Sequence, residues 1–225
     1  STPLTACLMM EAFRLADFPK GVVNLVSGRG SRAGAELALN PKVAMISFTG
    51  STAVGVSLSQ QALKTVKRIS LELGGKSPCV WLPDLPDYRP AVKPLFNSIF
   101  LNSGQTCTAL SRLIVPKARL AEVEKLLQDH VKDYPVGDPF DPKVLIGPMA
   151  SRQQFETVKS YIELGVKEGA RLLAGSIPEE PGAHEKGWFI QPTIFTDVKN
   201  DMRIAREEIF GPVLCVIAYD TVNDA

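Results

Sequence analysis

The sequence is poor in the residues that build metal sites and cross-links. Its two histidines, His130 and His184, are too few and too isolated for a zinc site. Its four cysteines stand at 7, 79, 107 and 215 with no CxxC pair. That spacing reads as free thiols in a reducing, cytoplasmic compartment rather than a disulfide framework. No apolar run approaches the roughly 20 residues of a membrane span. The opening STPLTACLMMEAF has no basic region and no cleavage site, so no signal peptide is expected. Neither sign of charge prevails: 25 basic against 24 acidic side chains give a formal charge of +1. A nucleic-acid footprint needs an excess of Lys and Arg, so that class of partner is excluded. There is no internal repeat and no low-complexity segment. What is present, 45% apolar and 22% charged residues in a chain of 225, is the composition of an ordinary soluble globular protein. The length allows one large domain or two small ones.

Strands alternate with helices along the first third. Thr2 and Pro3 read as N-cap and first position of a helix running to about Asp17, which residues 18–21 (FPKG) end. Residues 22–26 form an apolar run of strand length, followed by Gly28, Gly30, Gly34 and a helical AGAELAL pattern. Residues 43–48 are the next strand, then Gly50, Ser51, Thr52 and a helix to about Lys64; residues 66–73 alternate as a third strand. Such spacing indicates parallel βαβ units with right-handed crossovers. Further strands are expected at 79–82 and 112–115, and helices at 89–101, 119–132 and 151–169. Residues 135–148 form a Pro/Gly-rich loop and 179–187 a polar surface loop. Gly74-Gly75 is the best seam between two domains, 1–73 and 74–225. The chain opens at the lip of a helix without an initiator Met and stops just after VLCVIA, so both ends read as cuts through a larger protein.

Two glycine turns suggest a ligand. GRGSRAG reads G-x-G-x-x-x-G between a strand and a helix, where backbone can approach a phosphate and helix N–H groups can bind it. The third glycine comes one place late for the usual dinucleotide pattern, and a plain βα turn reads equally well. The second turn, Phe48-Thr49-Gly50-Ser51-Thr52, repeats the layout. Ser51 is read either as a simple N-cap or as a hydroxyl that also reaches a pyrophosphate. Ligands of open α/β sheets bind at the carboxyl ends of such strands.

Glu72 stands at a strand end before two glycines. It reads either as a partly desolvated base or as an exposed carboxylate paired with Lys76. Cys7, Cys79 and Cys215 have apolar neighbours, as buried cysteines do. Cys107, in the polar loop NSGQTCTA, is the best nucleophile of the four.

In combination, LELGGKSP, the GQTC loop 35 positions after Glu72, FTGST and EEIFGPV resemble the aldehyde dehydrogenase superfamily, in order and over essentially the whole chain. The resemblance implies an α/β fold: a partial Rossmann-like parallel sheet plus a second α/β domain. Residues 1–73 would be the C-terminal part of an NAD(P)-binding domain and 74–225 a catalytic thiol domain. It implies NAD or NADP as cofactor, an aldehyde as substrate, and a homodimer or homotetramer. Cys107 would be the nucleophile and Glu72 the general base. Ser51 would contact the pyrophosphate, Glu208 the nicotinamide ribose, and Phe210 the nicotinamide. Val54, with Gly28, Gly30 and Gly34, would flank the adenine, Gly50 would allow the second turn, and the Leu73 carbonyl would hold the carboxamide. An oxyanion-binding Asn and the Lys and Glu for the adenosine ribose would precede Ser1, and the end of the catalytic domain would follow Ala225. Two other readings use the same residues: a cofactor-free thiol esterase built on Cys107 and Glu72, and a non-catalytic relative.

Overall fold

A computed structural model describes residues 3–179 and 187–225. Thr2, expected as an N-cap, His184 and most of the polar loop at 179–187 lie outside the described residues. The chain divides into two compact units, with the boundary between Gly74 and Gly75.

The first unit contains α1 (Pro3–Leu15), a π turn (Gly30–Gly34) running into α2 (Ala35–Leu39), β1 (Met45–Gly50), α3 (Thr52–Leu63) and β2 (Arg68–Leu73). β1 and β2 pair in parallel from Met45↔Arg68 to Gly50↔Leu73. α3 lies over this pair: a Cβ on Gly55 would come within 2.8 Å of Leu73 Cδ2. The apolar run at 22–26 is not a strand. A parallel strand needs a neighbour to take its hydrogen bonds, and the ladder here has only two members. Val22 and Val26 are accordingly 64% and 72% exposed. Cys7, expected to be buried, is exposed on α1, a helix with no buried residue.

The second unit contains β3 (Pro78–Val80), α4 (Arg89–Phe100), β4 (Arg112–Pro116), α5 (Leu120–His130), α6 (Arg152–Lys167), β5 (Arg171–Ala174), β6 (Thr193–Thr196), α7 (Arg203–Arg206) and β7 (Val213–Tyr219). The sheet order is β3-β4-β7-β6-β5. All neighbours are parallel except β5 and β6. β7 is central and buried on both faces by its two-residue alternation. Leu214 and Val216 join a core with Val92, Phe96 and Ile99 of α4 and Val123 and Leu127 of α5. Val213 and Cys215 join another with Phe155, Val158 and Ile162 of α6. Ser151 caps α6, accepting a hydrogen bond from the Gln154 backbone N–H at 3.2 Å. Parallel sheets covered on both faces are the α/β arrangement that the alternating pattern predicts. The antiparallel β5 departs from that pattern. It follows α6 by a tight turn at Gly169, whose φ is +91°.

Candidate active site

Cys107 sits on a loop whose backbone is held in an uncommon shape. After α4, the chain passes through Asn102, Ser103 and Gly104 with φ of 49°, 59° and 73°. Left-handed backbone costs a non-glycine residue about 1–3 kcal/mol and persists only where surroundings enforce it. Here Ser103 is buried and its hydroxyl donates to the Gly147 carbonyl at 2.8 Å. The Gln105 amide donates to Asn102 O at 3.0 Å and accepts from the Ala150 N–H at 2.8 Å. Leu110 N–H donates to Ser98 Oγ at 3.1 Å. The result is an exposed thiol on an anchored loop. Burial pushes the thiols of Cys79 and Cys215 up, away from the reactive thiolate. Cys7 shares the exposure of Cys107 but lacks its anchored loop.

That loop is seated on residues 207–212. A Cβ on Gly104 would lie 2.1 Å from Gly211 O and 2.5 Å from Pro212 N, so only glycine fits. Beside this contact Phe210 also has a positive φ, 55°. Its backbone is held by Gln154, whose amide donates to Ile209 O at 3.1 Å and Phe210 O at 2.9 Å, while its ring stays partly exposed. The two adjacent glutamates differ. Glu207 accepts from Arg203 Nε at 2.8 Å and from the Tyr161 hydroxyl at 2.7 Å, which together hold its pKa down at about 2. Glu208 is half-buried and makes no hydrogen bond among the described residues. Its carboxylate is therefore available to a ligand.

In the first unit, the parallel register sets Thr49 beside Glu72 and Gly50 beside Leu73. The FTGS turn and the end of β2 are thus neighbours at the carboxyl edge of the strand pair, where α/β sheets bind ligands. Ser51 caps α3 with extended backbone, but Val54 N–H reaches its Oγ only at 3.5 Å. So long a bond leaves the hydroxyl and first-turn N–H groups able to meet a phosphate, and the residues fit a phosphate-bearing cofactor. Gly50 is pressed by the Phe48 ring, 2.5 Å from where its Cβ would be; Gly28 is 3.1 Å from Ala33 on the same measure. Gly30 and Gly34 have open space there, and Val54 is half-exposed. Glu72 is exposed rather than desolvated. Lys76 Nζ, in the second unit, is shielded and has no hydrogen-bond partner.

Ser103, Gln105 and Gln154 are the site residues that sequence reasoning missed. Each acts through a contact distant in sequence, up to 56 positions for Gln154 and Phe210, and no local pattern marks such a contact. No group of metal-ligating side chains occurs among the described residues, and none of their helices is long and apolar enough to cross a membrane.

Comparison with known proteins gives the family. A model of the aldehyde dehydrogenase family matches residues 1–225. A 3-succinoylsemialdehyde-pyridine dehydrogenase from a Pseudomonas species is 48% identical over 99% of the chain and 46% of its own length. The crystal structure of a cysteine-to-alanine variant of aldehyde dehydrogenase C from Pseudomonas syringae, with NAD+ and octanal, superposes with a TM-score of 0.93 at 47% identity, covering 98% of this chain and 45% of that one. The NAD+ complex of an aldehyde dehydrogenase from Bacillus cereus gives 0.92 at 40% identity, covering 99% and 44%. The chain thus spans less than half the length of these relatives.

Proposed function

The chain belongs to the aldehyde dehydrogenase family, and from that premise we propose that it contributes the catalytic thiol and part of the cofactor site of an enzyme oxidising an aldehyde to a carboxylate with NAD or NADP. The NAD+ complexes of its relatives favour NAD. The observation that carries the reading is the seating of Gly104 on Gly211. It makes one anchored structure of the exposed Cys107 loop and of the segment bearing the free carboxylate of Glu208.

Cys107, as thiolate, attacks the aldehyde carbon and forms a thiohemiacetal, for whose oxyanion the Cys107 backbone N–H is one candidate donor. When bound, the nicotinamide cofactor supplies the hydride acceptor for this carbon. Loss of hydride leaves a thioester on Cys107. Glu72 takes a proton from the water that attacks it, releasing the carboxylate and restoring the thiol. Glu208 accepts from the ribose hydroxyls and Phe210 packs beside the nicotinamide. Ser51 meets the pyrophosphate at the N-terminus of α3, and Leu73 offers its carbonyl to the carboxamide. Val54 and the turn of Gly28, Gly30 and Gly34 flank the adenine, and Gly50 keeps the second turn open. The same reading includes a homodimeric or homotetrameric assembly and a cytoplasmic location, in keeping with four free thiols.

The test is Cys107→Ala. Aldehyde-dependent NAD(P)H formation should fall by at least ~10³-fold while NAD binding, measured by calorimetry, persists. Turnover within about tenfold of the unmodified protein, under ~1.4 kcal/mol of barrier, removes Cys107 from the role. Ester cleavage by Cys107 with no aldehyde-dependent reduction of NAD(P) would favour the hydrolase reading instead.

A further inference from the structure

Two buried polar atoms of the second unit, Lys76 Nζ and Ser111 Oγ, have no hydrogen-bond partner. Both residues line one cavity of about 10 Å³ with Gly104, Thr106, Glu208 and Phe210. That volume holds about one water molecule. The Lys76 stem reaches solvent, but its Nζ is fully shielded. Its backbone carbonyl accepts from Arg112 Nε at 2.8 Å, which fixes where the side chain starts.

A shielded ammonium is costly unless a counter-charge stands near. Three titratable groups face Lys76: Cys215 on β7, Arg112 on β4, and Glu208. Arg112 repels it. Cys215 is fully buried, its thiol pushed up by that burial and its Sγ donating to Ile204 O at 3.2 Å, so near neutral pH it carries no charge. Glu208 is the one carboxylate that lines the cavity. Burial holds the Lys76 amine below the ordinary lysine range, and Cys215 and then Glu208 draw it partly back.

We propose that Lys76 is a positioning residue for Glu208: one ordered water in this cavity accepts from the Lys76 ammonium, contacts the Ser111 hydroxyl and donates to the Glu208 carboxylate, fixing its orientation toward the cofactor ribose. The inference rests on the reading of Glu208 as the ribose ligand. Water bridges of this kind satisfy two to four polar groups at once, and the three named here fall in that range. Because Lys76 acts through Glu208 and not on the reacting carbon, its loss shows in cofactor affinity and KM for NAD, with kcat at saturating NAD little changed.

The experiment is a double-mutant cycle on NAD dissociation constants, measured by calorimetry without turnover, for the unmodified protein, Lys76→Met, Glu208→Gln and the pair. Lys76→Met should weaken NAD about tenfold, Glu208→Gln at least as much, and Lys76→Met should add nothing in the Glu208→Gln background. A purely structural role for Lys76 would give additive losses, which overturns the proposal. So does an NAD affinity unchanged by Lys76→Met while Glu208→Gln weakens it. If Glu208→Gln itself leaves NAD binding intact, the ribose reading of Glu208 fails, and the proposal with it. Should Lys76→Met not fold, pH decides. NAD affinity of the unmodified protein should fall as pH rises through the depressed Lys76 pKa, below 10.5, and the fall should vanish in Glu208→Gln. Its persistence there overturns the proposal.

Discussion

The two units are built from the same kind of sequence, yet they treat their apolar side chains in opposite ways. Among the described residues of the first unit, the buried apolar side chains are Ala38, Leu58 and Ala62. Leu4, Leu8 and Leu15 of α1 are more than 70% exposed. In the second unit, Tyr88, Phe96, Phe100, Phe155 and Phe195 are fully buried. The difference lies in the sheets. Five strands with helices on both faces enclose two cores, whereas two strands and one covering helix enclose almost none. Apolar periodicity therefore tells what a segment is able to bury, and the number of neighbouring layers decides what it does bury.

This contrast can be broken experimentally. Both tryptophans, Trp81 and Trp188, belong to the second unit, so their fluorescence reports on that unit alone. Phe155→Ala opens a cavity beside Val158 and Ile162 and should cost about 3–5 kcal/mol in urea unfolding followed by fluorescence. Leu8→Ala on α1 should change stability, followed by far-UV circular dichroism, by less than about 0.5 kcal/mol. Comparable losses at both positions would show that the first unit does bury α1.

A smaller effect is expected where the second unit is tight without being apolar. Gly104→Ala must displace the Gly211 carbonyl and also suffers a positive φ, at a cost of about 2–4 kcal/mol. Gly169→Ala, with the same backbone problem but open space around it, should cost only about 1 kcal/mol. Thermal melts of the two variants compare packing with strain alone. Equal losses would mean that the Gly104–Gly211 seat carries no weight.

The smallest effect is electrostatic. Glu207, with its pKa held at about 2 chiefly by the Arg203 hydrogen bond and then by Tyr161, is ionised in the fold at a pH where an unfolded glutamate already takes up protons. A depressed carboxylate stabilises above the unfolded value of 4.5 and loses that contribution as pH falls toward 2. Its side chain is 40% exposed, so solvent screening keeps the gain under about 1 kcal/mol. Glu207→Gln should lower the urea midpoint slightly at pH 7 and leave it unchanged near pH 2. An equal difference at both values would assign the loss to packing.

Much of this was legible in the sequence, and the limits follow a physical line. The βαβ order, the boundaries of α3 to within a residue, the Ser51 cap and the polar setting of Cys107 are local properties. β5 and β6 were not legible. They have four residues each, and β6 is buried throughout, so neither shows alternation. The run at 22–26 has strand composition but no partner, and Cys7 has apolar neighbours on a helix that buries nothing. At the candidate site, the residues proposed for the chemistry stand in motifs that the sequence displays. Their supports were not legible: Gln154 under Phe210, Ser103 on Gly147 and Lys76 in its cavity depend on contacts that exist only after folding.

Three successive left-handed residues, Asn102, Ser103 and Gly104, also set how this segment can evolve. The Thr106 hydroxyl donates to Leu101 O at 3.3 Å and helps to hold the loop, whereas the exposed side chain of Thr108 is free to vary. The spacing from Phe100 to Cys107 is not. Gaining or losing a single residue would move glycine off the Gly211 carbonyl and shift the thiol from its anchored position. Drift in this stretch is therefore confined to substitution, with loop length held fixed by geometry.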